Sequence, residues 1–139
     1  MGALGDPAGS GAPAASAPAA VRTVALEDVD PIPLPGGSWS RMVLASGTLG
    51  GNASSLGYSV FTPGCVTAMV SHETEEVAYV VAGAGELRLD GDAVPFAAGQ
   101  GLYVPAGTWH AVANTGSEDV IMVFGFPHPD YPPTERRQP

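Results

Sequence analysis

The chain has no lysine, one cysteine and no apolar run near the length that crosses a bilayer. Each gap removes a class of function. Without lysine there is no amine for Schiff-base chemistry. The five cations are Arg22, Arg41, Arg88, Arg136 and Arg137, scattered or terminal, and the formal net charge is −9. Such a chain repels a phosphate backbone and an anionic membrane surface, so neither nucleic acid nor membrane is an expected partner. Cys65 alone cannot form an internal disulfide, and a cytoplasmic protein is the expectation. A membrane-spanning helix needs roughly 20 apolar residues, and no stretch approaches that. Residues 1–20 are almost entirely Ala, Gly, Pro and Ser. They lack the basic start and apolar centre of a secretory signal and the large side chains that repay ordering, so they read as a disordered tail.

Amphipathic helices are also missing between residues 22 and 126, where apolar residues come in short runs cut by Gly, Pro, Asp or Asn. That pattern predicts an all-β chain. Strands are expected over residues 22–26, 41–45, 56–61, 65–72, 76–81, 85–89, 93–96, 101–104, 109–113 and 120–126. The pair Asp90-Gly91 predicts a two-residue hairpin. Pro63-Gly64, Pro105-Ala106-Gly107 and Asn114-Thr115-Gly116 mark further turns. Residues 30–37, rich in proline, read as an extended linker. Closely spaced short strands favour a sandwich or barrel. The expected organisation is a tail over 1–20, one barrel over 21–127 and a loose Pro-rich strap over 128–139. No internal repeat is visible, and no room remains for a helix-turn-helix domain.

Two of the three histidines carry the chemical signal. His72 ends an apolar strand, Glu76 opens the next, and His110 opens a third. Strand side chains alternate faces, so His72 shares a face with Ala68 and Val70, Glu76 with Ala78 and Val80, and His110 with Val112 and Asn114. If those faces form the interior, two imidazoles and a carboxylate enter a cavity lined by Val70, Val80 and Val112. Two nitrogens and an anionic oxygen suit a divalent transition metal. The competing interpretation is a hydrogen-bonded core histidine, but a carboxylate facing an apolar interior is costly without a cation or a proton. Glu73 and Glu75 suit a solvated turn. His128 suits the surface, Cys65 suits core filling, and Asn114 is expected to tie down a turn. Tyr58 and Tyr103 are candidate catalytic hydroxyls. Tyr79 has the parity opposite to Glu76 and is expected to form an outer apolar stripe with Val77 and Val81.

The chain resembles the cupin superfamily, as a small single-domain cupin of the conserved-barrel type. The usual first motif is G-x5-H-x-H-x3-4-E-x6-G. Here Gly64, Val70, His72, Glu76 and Gly83 keep its spacing, with Val70 in place of the first histidine. The usual second motif, G-x5-P-x-G-x2-H-x3-N, is matched in full by Gly99, Pro105, Gly107, His110 and Asn114. The resemblance implies a double-stranded β-helix, or jelly-roll, barrel. Cupins usually hold a metal with three His and one Glu. With Val70 in the motif, His72, Glu76 and His110 remain, similar to the 2-His-1-carboxylate set of some cupin-type iron oxygenases. It implies one divalent ion per chain (Fe, Zn, Mn or Ni) and a small, largely apolar or aromatic substrate. The expected function is metal-dependent chemistry, with oxygenation favoured slightly over isomerisation, cyclisation or elimination. The alternative is a non-catalytic binding or accessory protein. Small cupins commonly pair, so a homodimer through the Val77–Tyr79–Val81 stripe is also expected.

Overall fold

The computed structural model describes residues 20–137, so the tail expected over 1–20 lies almost wholly outside the described residues. The described chain is nearly all strand: β1 (Ile32–Pro33), β2 (Trp39–Leu44), β3 (Ser55–Phe61), β4 (Met69–His72), β5 (Glu76–Ala82), β6 (Ala84–Leu89), β7 (Asp92–Ala97), β8 (Gly101–Val104), β9 (Ala111–Ala113), β10 (Val120–Phe126) and β11 (Thr134–Arg137). One sheet runs β1-β2-β3-β10-β5-β8. Facing it, β7-β6-β9 and β4-β11 are joined by antiparallel bridges at Val66–Ala113 and Val70–His110. All pairings are antiparallel, and the two layers close a jelly-roll barrel. No helix among the described residues is long and apolar enough to cross a membrane.

Alternation decides what the barrel encloses. In β3 the buried positions are Ser55, Gly57, Ser59 and Phe61, and in β10 they include Val120, Met122, Phe124 and Phe126. Phe61, Cys65, Val80, Phe96, Val120 and Met122 pack into one core cluster. Cys65 is core filling there, as expected. Asn114 also holds a turn as expected, donating to the Phe61 and Glu118 carbonyls and accepting from Gly116 N–H. The outer stripe is present as well, with Val77, Tyr79 and Val81 each about half exposed.

Four expectations fail, each where side-chain or long-range partners outweigh local pattern. Residues 22–26 form no strand; Leu26–Asp28 is a short 3-10 turn whose Leu26 carbonyl, like that of Val29, accepts from the Arg41 guanidinium. A side chain supplies what a ladder would have. The strand expected over 65–72 is regular only over Met69–His72. Upstream, the Thr67 hydroxyl accepts from Val112 N–H in place of a backbone carbonyl. The linker over 30–37 contains β1, which pairs Ile32 with Ser40 and Pro33 with Trp39. Finally, the expected loose strap carries β11, which pairs Thr134 with His72 and Arg136 with Val70.

Candidate metal centre

His72 ends β4, Glu76 opens β5, and His110 stands at the bridge preceding β9. Gly107 N–H donates to the His72 carbonyl, and the Val70 and His110 backbones exchange both hydrogen bonds. The turn Pro105–Gly107 is thereby fixed against the end of β4, which brings the two imidazoles side by side with ring centroids 5.0 Å apart. Both are buried, at 5% and 4% exposure for His72 and His110. One donor atom from each of His72, Glu76 and His110 lies within 4.8 Å of the others.

The outer nitrogens fix which atoms face inward. The Thr134 hydroxyl donates to the Pro132 carbonyl at 2.7 Å. Its oxygen is therefore the acceptor in the 2.7 Å contact with His72 Nδ1, and that nitrogen carries the proton. His110 Nδ1 faces the Thr108 carbonyl at 2.8 Å, which only accepts. In the neutral rings both Nε2 atoms then present lone pairs, and both point at Glu76 Oε1, at 3.2 and 3.3 Å. Three electron-rich atoms converge with no donor among them unless a cation or a proton enters.

The electrostatics answer to that convergence. Burial opposes ionisation of Glu76, but hydrogen bonds and charge from His110 and His72 outweigh it and hold the carboxyl below its ordinary value. Burial likewise opposes the charged form of His110. Its hydrogen bond to Glu76, the Thr108 carbonyl and the Glu76 charge prevail and raise its pKa.

The triad sits in a cavity of about 270 Å³. Val70, Val112, Met122 and Phe124 give it apolar walls, and Ser40, Ser59 and Thr67 add hydroxyls. Val70 and Val112 line it as expected. Val80 does not: it is wholly buried in the core cluster, four residues beyond Glu76 along β5. Tyr58 and Tyr103, the expected hydroxyl candidates, also lie elsewhere. Tyr58 alternates with the inward Ser59 and stacks on Trp39, ring centroids 5.9 Å apart. Tyr103 is 62% exposed beside Val77 on the outer face and donates to Glu75. His128 interacts locally with Asp130 and is not among the lining residues.

The tyrosine that lines the cavity is Tyr131, in the segment leading to β11. Its ring meets His72 edge-on at 5.2 Å and Phe126 at 5.4 Å. Burial raises its hydroxyl pKa and the Glu76 charge adds to this, against the opposing effects of Arg136 and Thr134. Thr134, Tyr131 and Arg136 escape a reading of local pattern because their partner strand lies 62 residues away in sequence. Thr134-Glu135-Arg136-Arg137 follows two prolines and is polar throughout, so it carries no period-two pattern that could have marked a strand.

Thr134→Val keeps the shape of the side chain but removes the acceptor that holds His72 Nδ1–H. It is expected to weaken divalent-metal binding by about tenfold, the lower end of what outer-shell changes produce. Thr134→Ser should restore it. Competition titration with a chelating dye measures both, and equal affinity in Thr134→Val and wild type contradicts the orienting role.

Comparisons with known proteins identify the family and the fold. A family model described as a cupin domain matches residues 57–126. The chain is a cupin. It is 35% identical over 104 residues to a protein named polyketide synthase CurC from Streptomyces cyaneus, covering 74% of this cupin and 67% of that protein. Protein SchB from Streptomyces halstedii is 37% identical over 114 residues, covering 78% and 82%. Among solved structures, the polyketide cyclase RemF from Streptomyces resistomycificus superposes with a TM-score of 0.71 at 20% identity, covering 86% of this cupin and 87% of that chain. Oxalate decarboxylase from Bacillus subtilis gives 0.70 at 22% identity, covering 80% and 30%. At such identities the superpositions establish the shared fold.

Proposed function

We propose that this cupin is a metal-dependent enzyme that cyclises a polyketide-type substrate, with His72, Glu76 and His110 as the metal ligands. The observation that carries the reading is the convergence of two imidazole Nε2 atoms and a carboxylate oxygen in a buried site whose outer hydrogen bonds lock both rings. Such a donor set fits a divalent ion of the borderline class. A divalent ion held by His72, Glu76 and His110 would supply Lewis-acid polarisation of a substrate carbonyl and so favour loss of the adjacent C–H proton. The rest falls to the chain itself. The apolar walls fold a flexible polycarbonyl chain and exclude water, which keeps reacting atoms close. Val70, where most cupins have a third imidazole, gives that wall its apolar character and leaves the ligand set at three. Tyr131, the tyrosine that lines the cavity, offers its hydroxyl for proton exchange with the substrate.

The polyketide assignment draws on CurC, a relative 35% identical, and on the cyclase RemF, which shares the barrel. The test is a turnover assay on protein purified without chelator, with elemental analysis of the same sample. The expected result is about one divalent ion per chain and a cyclised, dehydrated product from an aromatic poly-β-ketone analogue. Incorporation of labelled dioxygen would assign the oxygenase chemistry instead. Binding without product would assign the accessory role. The reading includes a homodimer through the Val77–Tyr79–Val81 face, where apolar exposure favours association. Light scattering of the sample at micromolar concentration checks it, and a monomer removes that part.

A further inference from the structure

Four of the five arginines are committed to structure. Arg22 donates to the Leu49 carbonyl, and Arg41 to the Leu26 and Val29 carbonyls. Arg88 pairs with Glu86. Arg137 pairs with Asp90 and lies over the Trp109 ring, 4.0 Å from its centroid. Arg136 has no hydrogen-bond or ion-pair partner among the described residues, and it lines the cavity.

Register explains why. On β11, Thr134 stands opposite His72 and Arg136 opposite Val70. Opposed residues of an antiparallel pair project to the same face, so Arg136 shares with Thr134 the side that serves the site. Glu135 and Arg137 take the other side, which is where Arg137 meets Asp90 and Trp109. Among the residues that line the cavity, Arg136 is the only Lys or Arg and Glu76 the only carboxylate. In a chain of net charge −9, an anionic ligand entering an apolar cavity beside Glu76 meets repulsion from both. A guanidinium with no partner among the described residues reverses that at one place.

We propose that Arg136 anchors an anionic or strongly polarised oxygen of the substrate, a carboxylate, phenolate or enolate, while its apolar body lies along Val70 and Val112. Arg136 is thus a specificity residue that selects a ligand charged at one end and apolar at the other. The proposal rests on the cavity being the substrate site. The guanidinium fork suits such an oxygen because it offers two parallel donors, which an ammonium does not.

The probes are 2-naphthoate and its neutral counterpart 2-naphthamide, titrated calorimetrically into the full chain as purified. Wild type should favour the carboxylate by about tenfold, in line with one charge-assisted hydrogen bond. Arg136→Gln should bring the two affinities together, and Arg136→Lys should keep part of the preference. Arg88→Gln, a charge removed outside the cavity, should keep all of it. His110→Ala separates the anchor from the metal centre. A preference that survives His110→Ala but not Arg136→Gln upholds the anchor, even if the metal reading fails. A preference lost in His110→Ala and kept in Arg136→Gln assigns the carboxylate to the metal centre and overturns the anchor. Equal affinity of wild type for the two probes, or binding of neither, overturns it as well.

Discussion

His72→Ala, Glu76→Gln and His110→Ala are each expected to lower divalent-metal affinity by more than about a hundredfold. Outer-shell changes alone cost ~10–100-fold, and each of these variants removes one of three inner donors. Dialysis against a metal buffer followed by elemental analysis reads the loss, and a variant that retains wild-type occupancy contradicts its residue as a ligand. The pH dependence carries a second signature. In the metal-free chain the His110 pKa is raised, so its stabilising pairing is fully present below the unfolded value of 6.5 and is lost as pH rises through the folded one. The Glu76 pKa is lowered, so its contribution is present above the unfolded value of 4.5 and is lost as pH falls through the folded one. Both are in place between those two unfolded values, which makes weakly acidic solution the favourable window for the metal-free triad. A metal ion needs the unprotonated Nε2 and so acts in the opposite direction. The gap in melting temperature between metal-loaded and chelator-treated protein should therefore widen from pH 6 to pH 8. In His110→Ala that widening should disappear. A gap independent of pH in wild type would show that His110 does not exchange proton for metal.

Gly83→Ala should be far more damaging than Gly99→Ala, although the two glycines share a backbone conformation. Both glycines have positive φ, 85° and 91°, so both substitutions force an L side chain into the left-handed region. At Gly99 a Cβ meets nothing within 4 Å. The cost there is conformational strain alone, about 1 kcal/mol. At Gly83 the same Cβ falls 2.5 Å from the Asp119 carbonyl oxygen and 2.9 Å from Val120 Cα. Those atoms are backbone at the start of β10, and Val120 is fully buried. The clash is relieved only by separating β5 and β6 from β10, so a loss of about 3 kcal/mol or more is expected. Urea denaturation of the two variants side by side measures the difference. Equal midpoints would mean that strain dominates and that the contact with Asp119 relaxes freely.

Both outcomes bear on how much of this molecule is written locally. The middle strands were legible because their inward and outward positions alternate sharply: Val77, Tyr79 and Val81 out, Val80 in. The hairpin at Asp90-Gly91 was legible because its turn chemistry is local, and β6 and β7 close there with Leu89 opposite Asp92. The triad was legible because His72, Glu76 and His110 each fall at a strand end beside a turn of fixed spacing. Depth within the barrel was not. Val80 shares the face of Glu76 but lies in the core cluster. Which face of β3 and β8 turns inward depends on strands far away in sequence, so Tyr58 and Tyr103 looked available when both lie outside.

The sequence by itself determined an all-β chain, the barrel family and the three residues of the candidate site, since alternation, turn residues and motif spacing are properties of neighbours along the chain. Only the tertiary structure decided which nitrogens those histidines offer, because the Thr134 hydroxyl that orients His72 arrives on β11 from 62 residues away. It also decided that the C-terminal residues belong to the site. Two prolines and a short charged run have no local reason to form a strand, and β11 exists because β4 presents an open edge to pair with. Backbone groups at such an edge need partners. The segment that supplies them carries Tyr131 and Arg136 to the cavity and Thr134 to the outer nitrogen of His72.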